Sequence, residues 1–317
     1  MSKIVVVGSS NTDMVVKSRT IPRPGETVIG GTFVSNAGGK GANQAVAAAR
    51  LGGEVALVAR VGDDMFGEQA RAGFIKEGID TTFVRTDSAA ATGIALILVD
   101  DAAENLISVA SGANENLSPS DVDDAEARAK LISTANMVVV QLETPMDTIV
   151  HTADLASQFG VPLILDPAPA PKTPLPEGLL AKISCIKPNE TEASYLTGVS
   201  VSDFASAAQA ANVLHDFGVE NVLITLGKSG VLVSDARDSF VELPSIQVEA
   251  VDSTAAGDAF SGALAVALAE GKSLVEAAQF AIIAAGLSVT RLGAQQSMPM
   301  REEVLLYAKL HIKEGEK

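Results

Sequence analysis

The chain has 317 residues, of which 47% are hydrophobic and 20% charged, a composition that supports a buried core and excludes an intrinsically disordered chain. With 39 acidic against 23 basic side chains, a net charge of −16, no Trp and 4% aromatics, it lacks the basic surface and stacking platform of a nucleic-acid binder. The single cysteine, Cys185, and the scattered His151, His215 and His311 exclude a disulfide framework and a Cys/His zinc site.

In chain order, Ile4–Val7 is a strand candidate, too short for the apolar core of a secretory signal. No apolar run reaches the ~18–20 residues that span a bilayer, so a cytoplasmic protein with no membrane partner is expected. Asp13–Val16 and Thr27–Val34 read as strands with no helix between them. A helix is predicted over Gly41–Leu51, a strand over Val55–Val58 and a helix over Gly67–Glu77. Gly93–Val99 and Leu106–Ala110 form a second helix-free strand pair, divided by the turn residues Asp100, Asp101, Glu104 and Asn105.

The rhythm then becomes regular. A helix over Asp121–Thr134, the strand Met137–Val140, a helix over Pro145–Phe159 and the strand Leu163–Leu165 precede an extended loop rich in proline (Pro167, Pro169, Pro171, Pro174, Pro176). The strand Cys185–Ile186, helices over Glu190–Leu196 and Phe204–Phe217, the strand Val222–Thr225, and helices over Ala256–Ala269 and Leu274–Thr290 complete the series. Gly52, Gly78, Gly160 and Gly218 stand where left-handed helix caps are wanted. This alternation predicts an α/β fold with a doubly wound, mostly parallel sheet flanked by helices, as one domain over residues 1–317. The helix-free strands predict a small β-sheet lid inserted from about 12–36 and 92–110, with exposed edges that a second copy of the chain could cover.

Three segments suggest chemistry. Asp252-Ser253-Thr254-Ala255-Ala256-Gly257-Asp258 leads into an Ala-rich helix, and small residues at such a start leave amides free to hold phosphate oxygens. Asp258 would then stand inside the anion hole, able to take a proton from an attacking hydroxyl; alone, it is equally an ordinary acidic residue in a first helical turn. Asn36-Ala37-Gly38-Gly39-Lys40-Gly41-Ala42-Asn43-Gln44 also opens a helix, and with Asn11 and Asp13 it offers donors and acceptors for several hydroxyls beyond the end of a strand. Thr225-Leu226-Gly227-Lys228-Ser229-Gly230 fails as a Walker A loop because Val222 stands where its first glycine is required. Asn189-Glu190-Thr191-Glu192 reads most simply as a capped helix start, although Glu192 could hold Mg²⁺ through waters. Gly8-Ser9-Ser10-Asn11 lacks the later glycines of a dinucleotide fingerprint.

These motifs, in this order, resemble the ribokinase-like carbohydrate kinases, also called the phosphofructokinase B family. The match covers essentially the whole chain and takes in Asn11-Thr12-Asp13, Gly38 to Asn43, Glu143, Asn189-x-x-Glu192, Thr225 to Gly227, Asp252 to Asp258 and Arg291-x-Gly293-Ala294. The resemblance implies transfer of phosphate from ATP with Mg²⁺ to a sugar, with Asp258 as base and amides near Ala255, Ala256 and Gly257 as anion hole. It implies sugar contacts at Asn11, Asp13, Gly39, Lys40, Asn43, Glu143 and Asp258, and nucleotide contacts at Asn189, Thr225, Gly227, Gly230 and Gly257.

A monovalent cation, usually K⁺, is implied beside Asp252, Thr254, Ser288, Arg291, Gly293 and Ser297. D-ribose, phosphorylated at its 5-hydroxyl, is the sugar that the resemblance favours, and a homodimer through the lid is the assembly. Deoxyribose, fructose or a nucleoside is the nearest alternative, and a non-catalytic sugar or nucleotide sensor a more distant one. Ile282 aligns where some members carry a His against the nucleotide.

Overall fold

Strand positions in the centre of the chain alternate between two apolar layers, because side chains two apart share a sheet face. In β1 (Lys3–Val7), Ile4 and Val6 enter one layer, and Val5 and Val7 the other. The same alternation runs through β4 (Glu54–Gly62) and β8 (Met137–Gln141), which pair with β1 in parallel on either side. Both faces are therefore apolar, as a parallel sheet covered by helices requires. The computed structural model describes residues 2–102, 104–171 and 173–311, so the first and last residues of the expected 1–317 domain lie outside the described residues.

Nine strands form the main sheet. From β1 the order runs outward on one side through β4 to β5 (Val84–Asp87). On the other side it runs through β8, β9 (Leu163–Asp166), β10 (Cys185–Ile186) and β11 (Asn221–Thr225), all parallel. The antiparallel β12 (Val231–Ala236) and then β13 (Ser239–Leu243) close that edge. One layer holds α1 (Lys40–Arg50), α7 (Ala256–Ala269) and α8 (Leu274–Ser288), with Phe74 of α2 (Met65–Lys76) and Val304 of α9 (Arg301–His311). The opposite layer holds α3 (Pro119–Ala129), α4 (Met146–Phe159), α5 (Glu190–Thr197) and α6 (Phe204–Asp216). No helix among the described residues is long and apolar enough to cross a membrane.

Two glycines set the position of α1. A Cβ at Gly41 would lie 2.6 Å from the Ser9 amide nitrogen, and one at Gly262 would lie 2.6 Å from Ala47 Cβ and 2.7 Å from the Gln44 carbonyl. The close crossing of α1 and α7 that these residues permit brings the first turns of the two helices to the carboxyl ends of the parallel strands, where such sheets bind ligands.

The separate sheet expected from the helix-free strands is present as four strands in the order β3, β2, β6, β7. β2 (Asn11–Ser18) pairs antiparallel with β3 (Gly31–Gly38) and parallel with β6 (Gly93–Val99), which pairs antiparallel with β7 (Asn105–Ala110). The register places Asp13, Val15, Asn36, Val34, Ile97, Ile107 and Val109 on one face. Val16, Phe33, Leu98 and Leu106 share the other, and Phe33 is 62% exposed.

Several boundaries differ from the sequence reading. The strand expected at Thr27–Val34 begins only at Gly31 and continues to Gly38, so Asn36 and Gly38 belong to it. The helix expected to reach Thr134 ends at Ala129, where Lys130 turns left-handed and the Glu126 carboxylate accepts from the Ile132 and Ser133 amides. The last long helix stops at Ser288 instead of Thr290. β5, the β12–β13 hairpin and α9 were not anticipated. The glycine caps are found as expected, with φ between 66° and 97° at Gly52, Gly78, Gly160 and Gly218. Pro167 is buried, whereas most of the proline-rich loop after it lies toward the surface.

Candidate functional site

The first turn of α1 starts at Gly39, whose φ of +88° is open to glycine and strained for other residues. Glu143, in the loop after β8, fastens this turn. Its Oε2 accepts from Ser9 Oγ at 2.6 Å and from the Lys40 amide at 3.0 Å, while the Ser9 carbonyl accepts from the Ala42 amide at 2.8 Å. Asn11 is fixed by Asn114, whose Nδ2 donates to Asn11 Oδ1 at 2.7 Å while its Oδ1 accepts from the Ser10 amide at 2.9 Å. Asn11, Asp13, Lys40, Asn43 and Glu143, far apart in the chain, thus surround one place between the lid and the main sheet.

Asp258 lies on the first turn of α7 and is 5% exposed. Its Oδ2 accepts from Asn43 Nδ2 at 2.9 Å and its Oδ1 from Gln44 Nε2 at 3.0 Å. Asn43 Oδ1 is buried with no hydrogen-bond partner among the described residues, so one polar atom beside Asp258 remains available. Ala255 stands left-handed, with φ 59°, ahead of the helix. The Ala256 amide donates to the Ser253 carbonyl at 3.2 Å, whereas among the described residues no group accepts from the amides of Ala255, Gly257 and Asp258. Three unpaired N–H groups at the positive end of a helix are an arrangement able to hold an anion.

The electrostatics agree with a crowded, partly dehydrated site. Burial raises the Asp258 pKa above the ordinary carboxylate range and Asp166 adds to the rise, against Lys40, Asn43 and Gln44. Asp13 is pushed up to about 6 by burial and by repulsion from Glu143 and Asp258, with Lys40 opposing. Burial alone would lower the Lys40 pKa, but Asp258, Asp166, Glu143 and Glu192 outweigh it and hold the ammonium charged. Glu192 is raised, chiefly by burial.

Asn189 and Glu192 cap α5 reciprocally: Asn189 Oδ1 accepts from the Glu192 amide at 2.9 Å and Glu192 Oε2 accepts from the Asn189 amide at 2.8 Å. Thr225 lies beside Asn189, its amide donating to the Pro188 carbonyl at 3.0 Å. Gly227 and Gly230 both have positive φ in the turn that follows, and a Cβ at Gly230 would lie 2.0 Å from the Leu243 carbonyl oxygen, so close approach to β13 itself demands glycine there.

Asp252 gathers the loop before α7. Its Oδ1 accepts from Thr254 Oγ1 at 2.6 Å and the Thr254 amide at 2.9 Å, and its Oδ2 from the Gly293 amide at 2.9 Å. Burial works to raise its pKa, but these donors hold it below the usual range. The Ser288 carbonyl accepts from the Arg291 amide at 3.1 Å, Arg291 is ion-paired with Glu303, and Ser297 Oγ donates to the Ala294 carbonyl at 2.8 Å. Among the described residues, no three of His, Cys, Asp and Glu converge as a metal cluster. Ile282 is 8% exposed within the apolar layer that holds Phe280 and Ile283.

Sequence reasoning gave no separate role to Gln44, which closes the glycine-rich motif, and none to Asn114, Asp166, Lys187 and Ser261. Asp166 and Lys187 each follow an apolar strand core, at the carboxyl edge where ligands bind, and that position was the available signal.

The family model for pfkB family carbohydrate kinases matches residues 1–301. A ribokinase of Haemophilus influenzae is 46% identical over 302 residues, covering 95% of this chain and 97% of that protein. A deoxyribokinase of Salmonella typhi is 36% identical over 308 residues, covering 97% and 99%. Among solved structures, Arabidopsis thaliana ribokinase complexed with ribose and ATP superposes with a TM-score of 0.89 at 36% identity, covering 98% of this chain and 99% of that one.

Proposed function

The chain belongs to the pfkB family carbohydrate kinases, and on that premise we propose that it transfers the γ-phosphoryl group of ATP to the 5-hydroxyl of D-ribose, giving D-ribose 5-phosphate and ADP. The observation that carries this reading is Asp258, buried at the mouth of α7 beside amides that have no acceptor among the described residues. Asp258 accepts the proton of the 5-hydroxyl as its oxygen forms the new bond to phosphorus and the bond to the leaving ADP oxygen breaks. The amides of Ala255, Gly257 and Asp258 stabilise charge on the phosphoryl oxygens. Asn11, Asp13, Gly39, Lys40, Asn43 and Glu143 hold the other hydroxyls, and Asn189, Thr225, Gly227, Gly230 and Gly257 hold the nucleotide. A lid over the sugar keeps water from competing for the phosphoryl group.

Two cations belong to this reading. Mg²⁺ accompanying ATP would be held through water by Glu192, whose buried carboxylate uses Oε2 in the α5 cap. K⁺ would be held largely by backbone carbonyls around Asp252, Thr254, Ser288, Arg291, Gly293 and Ser297. The hard oxygen donors of that loop suit an alkali cation, which would supply a fixed positive charge beside the anion hole. Asp252, with both oxygens accepting from the loop, keeps those donors in place.

The exposed apolar side chains on both lid faces, among them Phe33, Val34, Leu106 and Ile107, support a homodimer through the lid. The test of the substrate is ADP release with ribose, 2-deoxyribose, fructose and a nucleoside, each with and without KCl. The highest kcat/KM is expected for ribose. A preference for 2-deoxyribose, which the deoxyribokinase relative keeps in the panel, would replace the substrate assignment, and inactivity on every sugar would overturn the kinase reading.

A further inference from the structure

Beneath Asp258 lies a polar assembly that no sugar or nucleotide contact accounts for. Asp166, at the end of β9, is 1% exposed. Its Oδ2 accepts from Gln44 Nε2 at 2.8 Å and from Ser261 Oγ at 3.0 Å, and its Oδ1 lies 3.1 Å from Lys187 Nζ in an ionic contact without hydrogen-bond alignment. The same Gln44 Nε2 donates to Asp258 Oδ1, and Gln44 Oε1 accepts from Gln141 Nε2 at 2.8 Å. Lys187 and Ser261 both donate to the Gly257 carbonyl, at 3.3 and 3.0 Å. One carboxylate therefore joins α1, α7 and the turn after β10, and reaches Asp258 through a single amide group.

We infer that Asp166 and Lys187 act as a positioning pair, which through Gln44 and the Gly257 carbonyl fixes the Asp258 carboxylate and the first turn of α7 in register with the transferring phosphoryl group. The inference rests on the kinase reading for its catalytic consequence, but the linkage itself is a property of the buried network. A lone ionic residue is poorly tolerated in such surroundings, whereas a matched pair, or neither partner, is stable. The pair also sets the charge near Asp258. Charged groups on several elements act on Asp258 directly, Asp13 from β2, Lys40 from α1 and Asp166 from β9, and these are coupled in turn to Glu143 after β8, Lys187 after β10 and Glu192 on α5. Removing Asp166 takes away a repelling charge, and removing Lys187 takes away the cation that screens it. The two changes shift proton affinity at Asp258 in opposite directions.

The test compares wild type with Asp166→Asn, Lys187→Met and the double variant, by steady-state kinetics with ribose and ATP and by ¹³C NMR titration of the Asp258 carboxyl. Each single variant should lower kcat roughly 10- to 100-fold, as an ~1 Å misplacement of reacting groups does, with the ribose KM within about threefold. The double variant, in which no unpaired charge is buried, should recover at least about tenfold over the poorer single variant. The Asp258 titration midpoint should fall in Asp166→Asn and rise in Lys187→Met. Unchanged kcat in both single variants, or midpoints that move together or not at all, would overturn the inference. If one single variant does not fold, the other decides it by the same two readings: a wild-type kcat together with an unmoved Asp258 midpoint overturns the inference. Wild type inactive on every sugar would fail the kinase reading, while the titrations would still read the linkage.

Discussion

Asp258→Asn is the sharpest perturbation of the proposed chemistry, because it keeps the volume and planarity of the side chain while removing its capacity to take a proton. A general base contributes about 10²–10⁴-fold, equivalent to about 3–5 kcal/mol of barrier. The wild-type carboxylate accepts from two donors, Asn43 Nδ2 and Gln44 Nε2. An amide offers only one acceptor, so one buried donor loses its partner at a cost of about 1–3 kcal/mol, offset by relief of the dehydrated charge. The fall in kcat should therefore be about 10²–10⁴-fold, with the ribose KM within a few-fold because Asn11, Lys40 and Glu143 remain. Burial also places the titration of Asp258 above the usual carboxylate range. The base must be ionised, so wild-type kcat should decline as pH falls through that value and the variant should lack this limb. Rates from coupled ADP release between pH 5 and 8 read both effects at once. A variant that kept kcat within about tenfold of wild type, with the acid limb intact, would refute the role given to Asp258.

Asp13→Asn should stabilise the fold while weakening sugar binding. The Asp13 pKa is raised to about 6, so the folded state binds more protons than the unfolded chain between about pH 4 and 6, and its contribution becomes increasingly unfavourable as pH rises through that window. The full penalty above pH 6 is about 3 kcal/mol at most, so the gain in urea stability should be largest at pH 7.5 and small at pH 4, with a higher ribose KM; equal gains at both values would contradict the assignment. Gly41→Ala should cost about 1–3 kcal/mol by urea unfolding and lower kcat, because its Cβ would meet the Ser9 amide nitrogen at 2.6 Å. Asp252→Ala should raise the KCl concentration needed for half-maximal activation roughly 10- to 100-fold, since the Thr254 and Gly293 donors lose their shared acceptor. Sedimentation should give twice the chain mass for wild type, and the single-chain mass for Phe33→Glu with Leu106→Glu.

The parallel core was legible because its strands are short runs of Val, Ile and Leu bounded by glycine caps, and Cys185–Ile186 is assigned to the residue. The lid was legible because Gly93–Val99 and Leu106–Ala110 leave no room for a crossover helix. The β12–β13 hairpin was not, since an antiparallel return after Thr225 breaks the strand–helix rhythm on which the reading depended. At the site, glycine-rich and acidic motifs announced Asp258, Lys40 and Asn43, because sequence neighbours carried the signal. Asp166 and Lys187 carry no local motif. Their significance arises from a contact between residues 21 apart that also meets α1 and α7, which only the folded chain displays.

The charges at this site bear on why a sugar kinase of this design would depend on cations. Five carboxylates, Asp13, Glu143, Asp166, Glu192 and Asp258, share electrostatic influence with two ammonium groups, Lys40 and Lys187. Burial is the main cause of the raised proton affinities of Asp13, Glu192 and Asp258, and at each of them a neighbouring carboxylate adds to it. Such surroundings suit a polyhydroxylated neutral sugar, whose hydroxyls donate to carboxylates, but they repel a triphosphate. The free amides at the start of α7 answer this repulsion only in part, since a helix terminus carries about half a charge. Cations bound with the nucleotide and behind the anion hole would supply the remainder without placing another lysine where it would form an ion pair with the base. On the proposed chemistry, charge alone would divide the labour: carboxylates would orient the acceptor and take its proton, main-chain amides would receive the phosphoryl oxygens, and cation-holding loops would make the nucleotide tolerable to both.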